Sequence, residues 1–199
     1  MNRKLLLLLP AALVILQVSA QKINVGVRGD FTYSRINGDG MGIGYQAGFN
    51  VGGFAEYKIK DRWSVQPEIL FSQRNIKIGN FKEYFASSAS EDPGQYAFLS
   101  YVSVPVSLKY KILNELTVSA GAQYSYLVHA DETLLRDKAD GFKKNDVGLL
   151  AGLEYTPSRL RFYGRYYHSV YDINNINDLH TWYMTQFQAG VGYILFAKK

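Results

Sequence analysis

Eight segments of the chain alternate between apolar and polar residues with a period of two, as β-strands with two different faces do. Their apolar registers run through residues 23–33, 45–57, 63–71, 102–110, 116–126, 147–155, 160–166 and 183–195. These registers contain no Asp, Glu, Lys or Arg, whereas the alternate positions carry charges of both signs. Because a Lys or Arg facing mid-bilayer costs about 2–4 kcal/mol, a charge-free outer face indicates lipid contact. The pattern predicts an all-β fold, an eight-stranded antiparallel up-and-down transmembrane β-barrel.

Aromatic residues cluster near the ends of these segments. One set comprises Tyr57, Trp63, Tyr110, Tyr155 and Tyr193, and the other comprises Phe31, Tyr33, Tyr45, Tyr126, Tyr166, Trp182 and Tyr183. Aromatic rings favour the membrane–water interface, where an apolar body meets lipid and a polar edge meets water. The two sets therefore predict two aromatic girdles around the barrel.

The links between segments alternate in length, which predicts the orientation of the barrel. Short links cover residues 58–62, 111–115 and 156–159, and longer polar links cover 34–43, 79–97, 129–146 and 170–181. Outer-membrane barrels have short periplasmic turns and long outer loops. The predicted location is the bacterial outer membrane, with the N- and C-termini in the periplasm.

The N-terminus has the features of an export signal. Asn2-Arg3-Lys4 supplies positive charge, residues 5–16 are apolar, and Val18-Ser19-Ala20 provides small residues for cleavage. We predict a signal peptide at 1–20 and a barrel domain at 21–199. A membrane-anchored alternative is open, although the run is shorter than the roughly 20 residues of a spanning helix.

Composition excludes several kinds of site. The chain has no Cys, so disulfides and thiolate metal sites are absent. Removing Arg3 and Lys4 lowers the formal net charge from +5 to +3, which is too mild to indicate nucleic-acid binding. No cofactor, metal ligand or catalytic residue is assigned.

The polar registers place charged side chains inside the predicted barrel. We expect a lumen charge network of Arg28, Glu56, Glu68, Lys109, Glu154, Arg161 and Arg165. An eight-stranded barrel is just wide enough for side chains to fill, so a wide pore is not expected. Two interpretations stay open: a structural plug of paired charges, or a path for a ligand or ion.

Two prolines interrupt this pattern. Pro67 and Pro105 lie within neighbouring predicted strands, where each removes a backbone donor. Our hypothesis is a bulge that the two strands share. The stretch 38–44 is rich in glycine but lacks the spacing of a dinucleotide site, and it predicts a flexible first loop.

Short motifs resemble the PorT-like outer-membrane β-barrel family. The segment Tyr101–Tyr110 is an apolar strand with an internal proline and a closing Lys-Tyr, and residues 24–29 and 190–196 are also similar. The resemblance implies an eight-stranded outer-membrane barrel, and the family's name comes from a member linked to protein secretion. Gln188, Gly190 and Tyr193 further resemble the C-terminal signal that barrel-assembly machinery recognises, with Leu195 where an aromatic residue is usual.

Three functional hypotheses follow from the sequence. The first is a non-enzymatic barrel in outer-membrane lipid whose outer loops contact an envelope protein, a polysaccharide or a secretion component. The second is an outer-membrane acyltransferase or protease that uses rim residues, for which the candidates are His129, His168, His180, Asp131, Asp172 and Asp178. The third is a soluble periplasmic lipid-binding barrel.

Overall fold

The computed structural model describes residues 23–91, 94–131, 133–136 and 140–197; the predicted signal peptide, 1–20, lies outside them. The strands are β1 Ile23–Asn37, β2 Gln46–Lys58, β3 Trp63–Lys77, β4 Tyr96–Lys111, β5 Leu116–Asp131, β6 Asn145–Tyr155, β7 Leu160–Ser169 and β8 Tyr183–Ala197, with a short helix, α1, at Phe81–Phe85. Each strand pairs antiparallel with the next, and β8 pairs with β1 to close the barrel. The predicted fold class is confirmed. In the described part of the chain, no helix combines the length and apolar character needed to span a membrane.

The links define two ends of the barrel. Residues 59–62, 112–115 and 156–159 form short links at one end, here called the turn end, where Ile23 and Ala197 also lie. The longer links lie at the opposite end, here called the loop end, and their described residues are 38–45, 78–91, 94–95, 133–136, 140–144 and 170–182.

The two faces of the wall have opposite character over most of its height. Outward residues such as Val51, Val106 and Val191 are 46–51% exposed, whereas inward residues such as Arg28 and Lys109 are at most 4% exposed. This arrangement reverses that of a soluble lipid-binding barrel, in which charges face water and the interior is apolar. The predicted charge-free outer face is confirmed.

Several strands extend further toward the loop end than predicted. β1 continues to Asn37, β3 to Lys77 and β5 to Asp131, and β4 begins at Tyr96. Beyond the outer aromatic residues the alternation continues with inverted polarity. Most inward positions become apolar, as at Ile36, Ile76 and Leu99, while several outward positions become polar, as at Arg35, Gln73 and Asn75. A prediction that extends each strand only as far as its outward positions stay apolar therefore ends these strands too early.

The hypothesis of a shared bulge at Pro67 and Pro105 is wrong. The β3–β4 ladder pairs Pro67 with Val106, skips two positions, and resumes at Leu70 and Ser103 in the same register. A proline removes a donor without adding a residue, so opposing positions stay aligned. Bulges occur elsewhere, at Val128 in β5 and at Leu195 in β8, where the pairing shifts by one residue.

Candidate functional site

The lumen nearest the turn end holds two cations and two carboxylates. The Lys109 Nζ atom lies 2.6 Å from Glu154 Oε1 and 3.8 Å from Glu56 Oε1. The Arg161 guanidinium donates to Glu56. Gln66 joins the two cations, because its Oε1 atom accepts from Lys109 at 3.0 Å and from Arg161 at 2.8 Å. The four charges thus form one neutral layer.

A second layer lies midway along the barrel. Both carboxylate oxygens of Glu68 accept from Arg165, at 2.5 and 3.0 Å, and Oε2 also accepts from Arg28 at 2.6 Å. Arg28 reaches Asp30 at 3.1 Å, and the Tyr163 hydroxyl donates to Asp30 at 2.8 Å. Two arginines therefore balance two carboxylates, and this layer is also neutral.

The third layer, toward the loop end, is a single ion pair. Arg74 Nη1 lies 2.7 Å from Asp146 Oδ2, and both side chains are completely buried. Arg74 also donates to Ser125 at 2.8 Å, and Asp146 accepts from Tyr167 at 2.8 Å and from Ser169 at 2.6 Å. Every charge in the three layers therefore has a partner of opposite sign, as buried ions require.

The structure brings all seven residues of the expected lumen network into the first two layers. Sequence reasoning left Asp30, Arg74 and Asp146 out of that network. Asp30 already lay in the polar register. Arg74 and Asp146 fell beyond the predicted strand ends, although continued alternation past residue 71 would have placed Arg74 inside.

An apolar cluster, here called the cap, closes the interior at the loop end. Phe81 and Phe85 of α1 stack with ring centres 4.7 Å apart, and Phe85 packs edge-on against Trp182 at 5.5 Å. Trp182 is fully buried, and its Nε1 donates to the Asp39 carbonyl at 3.0 Å. Its predicted place in an aromatic girdle is therefore wrong. The cap comprises Ile36, Met41, Ile76, Ile78, Phe81, Phe85, Ala89, Ala97, Leu99, Tyr101, Leu127, Leu134, Phe142, Leu150, Tyr167, Ile173, Trp182 and Met184.

Asp172 connects the fourth long link, residues 170–182, to Lys143 of the third long link. Its Oδ1 atom accepts from the backbone amides of Trp182 at 2.8 Å and Asn174 at 3.0 Å, and Oδ2 lies 2.9 Å from Lys143 Nζ. Partial burial by itself would raise the pKa of Asp172, but the two amides and Lys143 outweigh it and lower that pKa. The hydrogen bond to Asp172 raises the pKa of Lys143. Both shifts favour the charged pair.

A cleft of about 710 Å³ opens beside the cap. Its walls are the glycine-rich first loop and the start of the second, and it is lined by Gly38, Asp39, Gly40, Met41, Gly42, Ile43, Gly44, Lys77, Ile78, Gly79, Asn80, Tyr84 and Gln95. The first loop is held in place, because Gly42 N donates to Lys77 O at 2.8 Å and Gly79 N to Gly40 O at 2.9 Å. A Cβ atom at Gly79 would lie 2.7 Å from the Met41 carbonyl oxygen, so the close approach needs glycine.

The three histidines do not form a common site. His129 lies on β5 rather than in a loop, and His168 on β7 contacts Thr185 Oγ1 at 3.2 Å. His180 Nδ1 lies 2.8 Å from Asp39 Oδ2, not beside the expected Asp172 or Asp178. In the residues that the structure describes, no hydroxyl is hydrogen-bonded to His180, and no group of three His, Asp or Glu side chains could hold a metal ion.

Solved structures with the same architecture have low sequence identity to this chain. Neisserial surface protein A is 17% identical, with a TM-score of 0.55 and coverage of 86% of this chain and 97% of that chain. Ail, the attachment invasion locus protein of Yersinia pestis, is 15% identical, with a TM-score of 0.51 and coverage of 87% and 97%. Ail has also been solved with the heparin analogue sucrose octasulfate, with a TM-score of 0.50. At these identities the likeness concerns the fold alone.

No curated protein matches the chain in sequence. The sequence profile described as the outer membrane protein beta-barrel domain does match, over residues 18–175. That match covers most of the chain and agrees with the closed barrel and its apolar outer face. The chain therefore belongs to the outer membrane protein beta-barrel domain family, whose members reside in the bacterial outer membrane.

Proposed function

We propose that the protein is a non-enzymatic, non-conducting anchor that binds a surface polysaccharide through the cleft beside its cap. The observation that carries the proposal is the double closure of the interior. Three neutral layers of paired charges fill the lumen, and an apolar cap covers them. The proposal includes export by a signal peptide at 1–20, periplasmic termini and an outward loop end.

The cleft has the chemistry of a site for a hydroxyl-rich ligand. Asp39, Asn80 and Gln95 offer planar oxygen and nitrogen groups that can exchange hydrogen bonds with sugar hydroxyls. Tyr84, which is 41% exposed, offers an aromatic surface for the apolar face of a sugar ring. Concave sites with a few convergent polar groups are the usual form of ligand sites.

The charge of the loop end argues for an uncharged ligand. The long links contain ten charged residues in their described parts, of which six are acidic: Asp39, Glu83, Glu91, Asp140, Asp172 and Asp178. A polyanion such as the sucrose octasulfate bound to Ail would meet net repulsion here. We therefore propose a neutral polysaccharide.

A PorT-like relationship, with its link to secretion, is part of the same proposal. β4 gives the motif a physical role, because Ser103, Ser107 and Lys109 face the lumen while Val102 and Leu108 face outward. The strand supplies both the outer belt and a charge of the first layer. A secretion component is then a second partner class for the loop end.

Two measurements test the proposal. Planar bilayers containing the purified barrel should show no stepwise conductance. Binding of neutral oligosaccharides, followed by isothermal titration, should weaken at least about tenfold in Y84A, as expected when one buried contact worth about 1.4 kcal/mol is lost. The matched control is Y96A, an exposed tyrosine outside the cleft, which should bind as the wild type does.

Stepwise conductance would contradict the proposal that the protein is a non-conducting anchor. Equal losses of oligosaccharide affinity in Y84A and Y96A would contradict binding at the cleft. Hydrolysis or acyl transfer that is abolished by H180A would replace the proposal with an enzyme acting at the Asp39–His180 pair.

A further inference from the structure

A pocket of about 450 Å³ opens at the mouth of the barrel at the turn end. Its floor is the first charge layer, because Glu56, Glu154 and Arg161 line it. These charges are already engaged, since Arg161 pairs with Glu56 and Lys109 lies 2.6 Å from Glu154. The volume lies within the range of about 300–1,000 Å³ that is usual for ligand pockets. The mouth can therefore hold a ligand above a floor that is neutral.

Three exposed cations at the rim of this pocket, here called the mouth cations, are Lys58, Lys111 and Arg159. Each lies two residues further toward the turn end than an inward charge of the first layer, so the period of a strand gives it an inward register. Lys58 is opposite Ser64, whose side chain is buried in the lumen, and Lys111 is opposite Thr117 of the same inward register. The mouth cations therefore belong to the interior of the barrel and not to its lipid-facing surface.

The mouth cations are distributed around the opening. The Arg159 carbonyl accepts from the amide of Ile194, a buried inward residue, at 2.9 Å, so the β7–β8 pairing continues up to the rim. The other two mouth cations end β2 and β4, and none of the three strands is a neighbour of another in the barrel. Because adjacent strands lie about 4.8 Å apart, these strands are at least roughly 10 Å apart along the wall.

The mouth cations have no acidic partner in the part of the chain that the structure describes. Glu56 and Glu154 are bound by the cations of the first layer. Glu115, the remaining acid of the pocket, is hydrogen-bonded to Tyr155. The rim thus carries an excess of positive charge. A concave site of one sign with low-dielectric walls focuses its field and attracts ligands of the opposite sign.

The pocket also offers neutral groups that suit a peptide. Asn24, Asn114 and Thr156 line it, and each can donate and accept hydrogen bonds as backbone amides require. Ile194 and Ala197 add apolar contacts. A single small ion would use the cations alone. An extended peptide with acidic side chains would use the neutral groups as well, and its separate carboxylates match cations that lie on separate strands.

We propose that the mouth binds a short acidic peptide segment of a partner protein, whose carboxylates pair with the mouth cations. In the orientation proposed above, this partner is a periplasmic protein. The site lies at the end of the barrel opposite to the cleft and requires no polysaccharide, so each of the two sites can be tested without the other.

The chain has no cysteine, so a single introduced thiol can locate the binding. S158C carries an environment-sensitive fluorophore at the pocket, and S87C carries the same fluorophore on the second long link. The purified full barrel in a zwitterionic detergent is titrated with a hexa-aspartate peptide and with a hexa-asparagine peptide. We expect a saturable response from the label on S158C alone, at least about tenfold tighter for hexa-aspartate at low salt. Added salt should weaken it.

Charge variants in the S158C background test the mouth cations. K58Q/K111Q should lower the affinity for hexa-aspartate at least about fivefold, because two exposed ion pairs are lost. The matched control K60Q/R62Q removes two exposed cations of the same end that do not line the pocket, and it should bind as the parent does. K58R/K111R keeps both charges and should retain the affinity. The heat-dependent gel shift verifies that each variant is folded.

The proposal is overturned by any of three results. Equal affinity for the aspartate and asparagine peptides would contradict recognition of carboxylates. Equal losses of affinity in K58Q/K111Q and K60Q/R62Q, or an equal response of the label on S87C, would place the peptide outside the mouth. Diphosphate that binds at least as tightly as hexa-aspartate would assign the mouth to a small free anion instead of a peptide.

Discussion

Arg74 and Asp146 form an ion pair at 2.7 Å with neither side chain accessible to solvent, at the boundary between the polar lumen and the apolar cap. Arg74 stacks on Tyr101 at 4.3 Å, so the guanidinium faces aromatic cap residues on one side and Asp146 on the other. The ion pair therefore contacts both the polar lumen and the apolar cap.

Removing one member of this pair should destabilise the barrel strongly. R74M leaves Asp146 buried without a counter-ion, and such a loss costs about 3–5 kcal/mol. The double variant R74M/D146N should lose less than the sum of the two single variants, because neither charge remains unpaired. Urea unfolding in lipid vesicles measures the free energy of unfolding of the single and double variants. A cost for R74M equal to that of the exposed-site control R136M would contradict the role of the pair.

A cation on the outer face should be costly at mid-height. Val106 faces outward between the positions of Tyr110 and Val102, and V106R should destabilise the barrel by about 2–4 kcal/mol in lipid. The control I43R places the same cation in the first loop, where Ile43 is 88% exposed, and should have little effect. Vesicle unfolding titrations compare the two. Equal stability of V106R and wild type would contradict a lipid-facing belt.

The order of the fourth loop should depend on pH. The pKa of Asp172 is lowered in the folded loop, so its stabilising contribution is present above the ordinary carboxyl value of about 4 and is lost as the pH falls below it. The pKa of Lys143 is raised, so its contribution is present below its ordinary value of about 10.5 and is lost at higher pH. The loop should be most ordered between these limits.

Trp182 fluorescence in a W63F background measures this dependence, because the Trp182 amide binds Asp172. Emission should shift to the red as the pH falls below about 4. D172N should show the shifted emission at neutral pH and little further change in acid. An acid shift of the same size in D172N would assign the titration to another group.

The sequence predicted the lumen better than the cap. Lys109 and Glu68 were found because they alternate with Leu108 and Ile69 in one unbroken register. Trp182 was misplaced because it precedes β8, where no neighbouring alternation shows which way a side chain points. Its burial depends on Phe81 and Phe85, which are about a hundred positions away in the chain.

The bulges at Val128 and Leu195 also could not be predicted from the sequence pattern. A bulge exists only relative to the strand that pairs with the bulged one, so both strands must be known to locate it. For Leu195 the partner strand is β1, at the other end of the chain. The ladder skip at Pro67 is a related case. The sequence shows that a donor is missing, but only the neighbouring pairs decide whether the register shifts.

Truncating Trp182 should loosen the cap without opening the barrel. W182A removes a fully buried ring that contacts Phe81, Phe85 and Phe142, and such truncations cost about 3–5 kcal/mol. Limited proteolysis should then cut the long loops sooner, while the heat-dependent gel shift of the folded barrel persists. The control L179A alters a loop residue that is 86% exposed and should resist proteolysis as the wild type does. Simultaneous loss of the gel shift in W182A would show that the cap and barrel unfold together.

Deleting Leu195 should preserve the barrel and its closing strand. Gly26 pairs with Ile194 and Val25 with Phe196, so Leu195 is the extra residue, and Phe196 faces outward like Tyr193. The deletion gives an unbulged strand that ends in spaced outward aromatics, the pattern expected of a client of barrel-assembly machinery. We expect outer-membrane levels and heat-dependent gel shifts equal to those of the wild type. Deletion of Gly192 is the matched control, because it removes a paired residue and moves Tyr193 from the outward to the inward register, so it should lower both. Equal behaviour of the two deletions would contradict a specific bulge at Leu195.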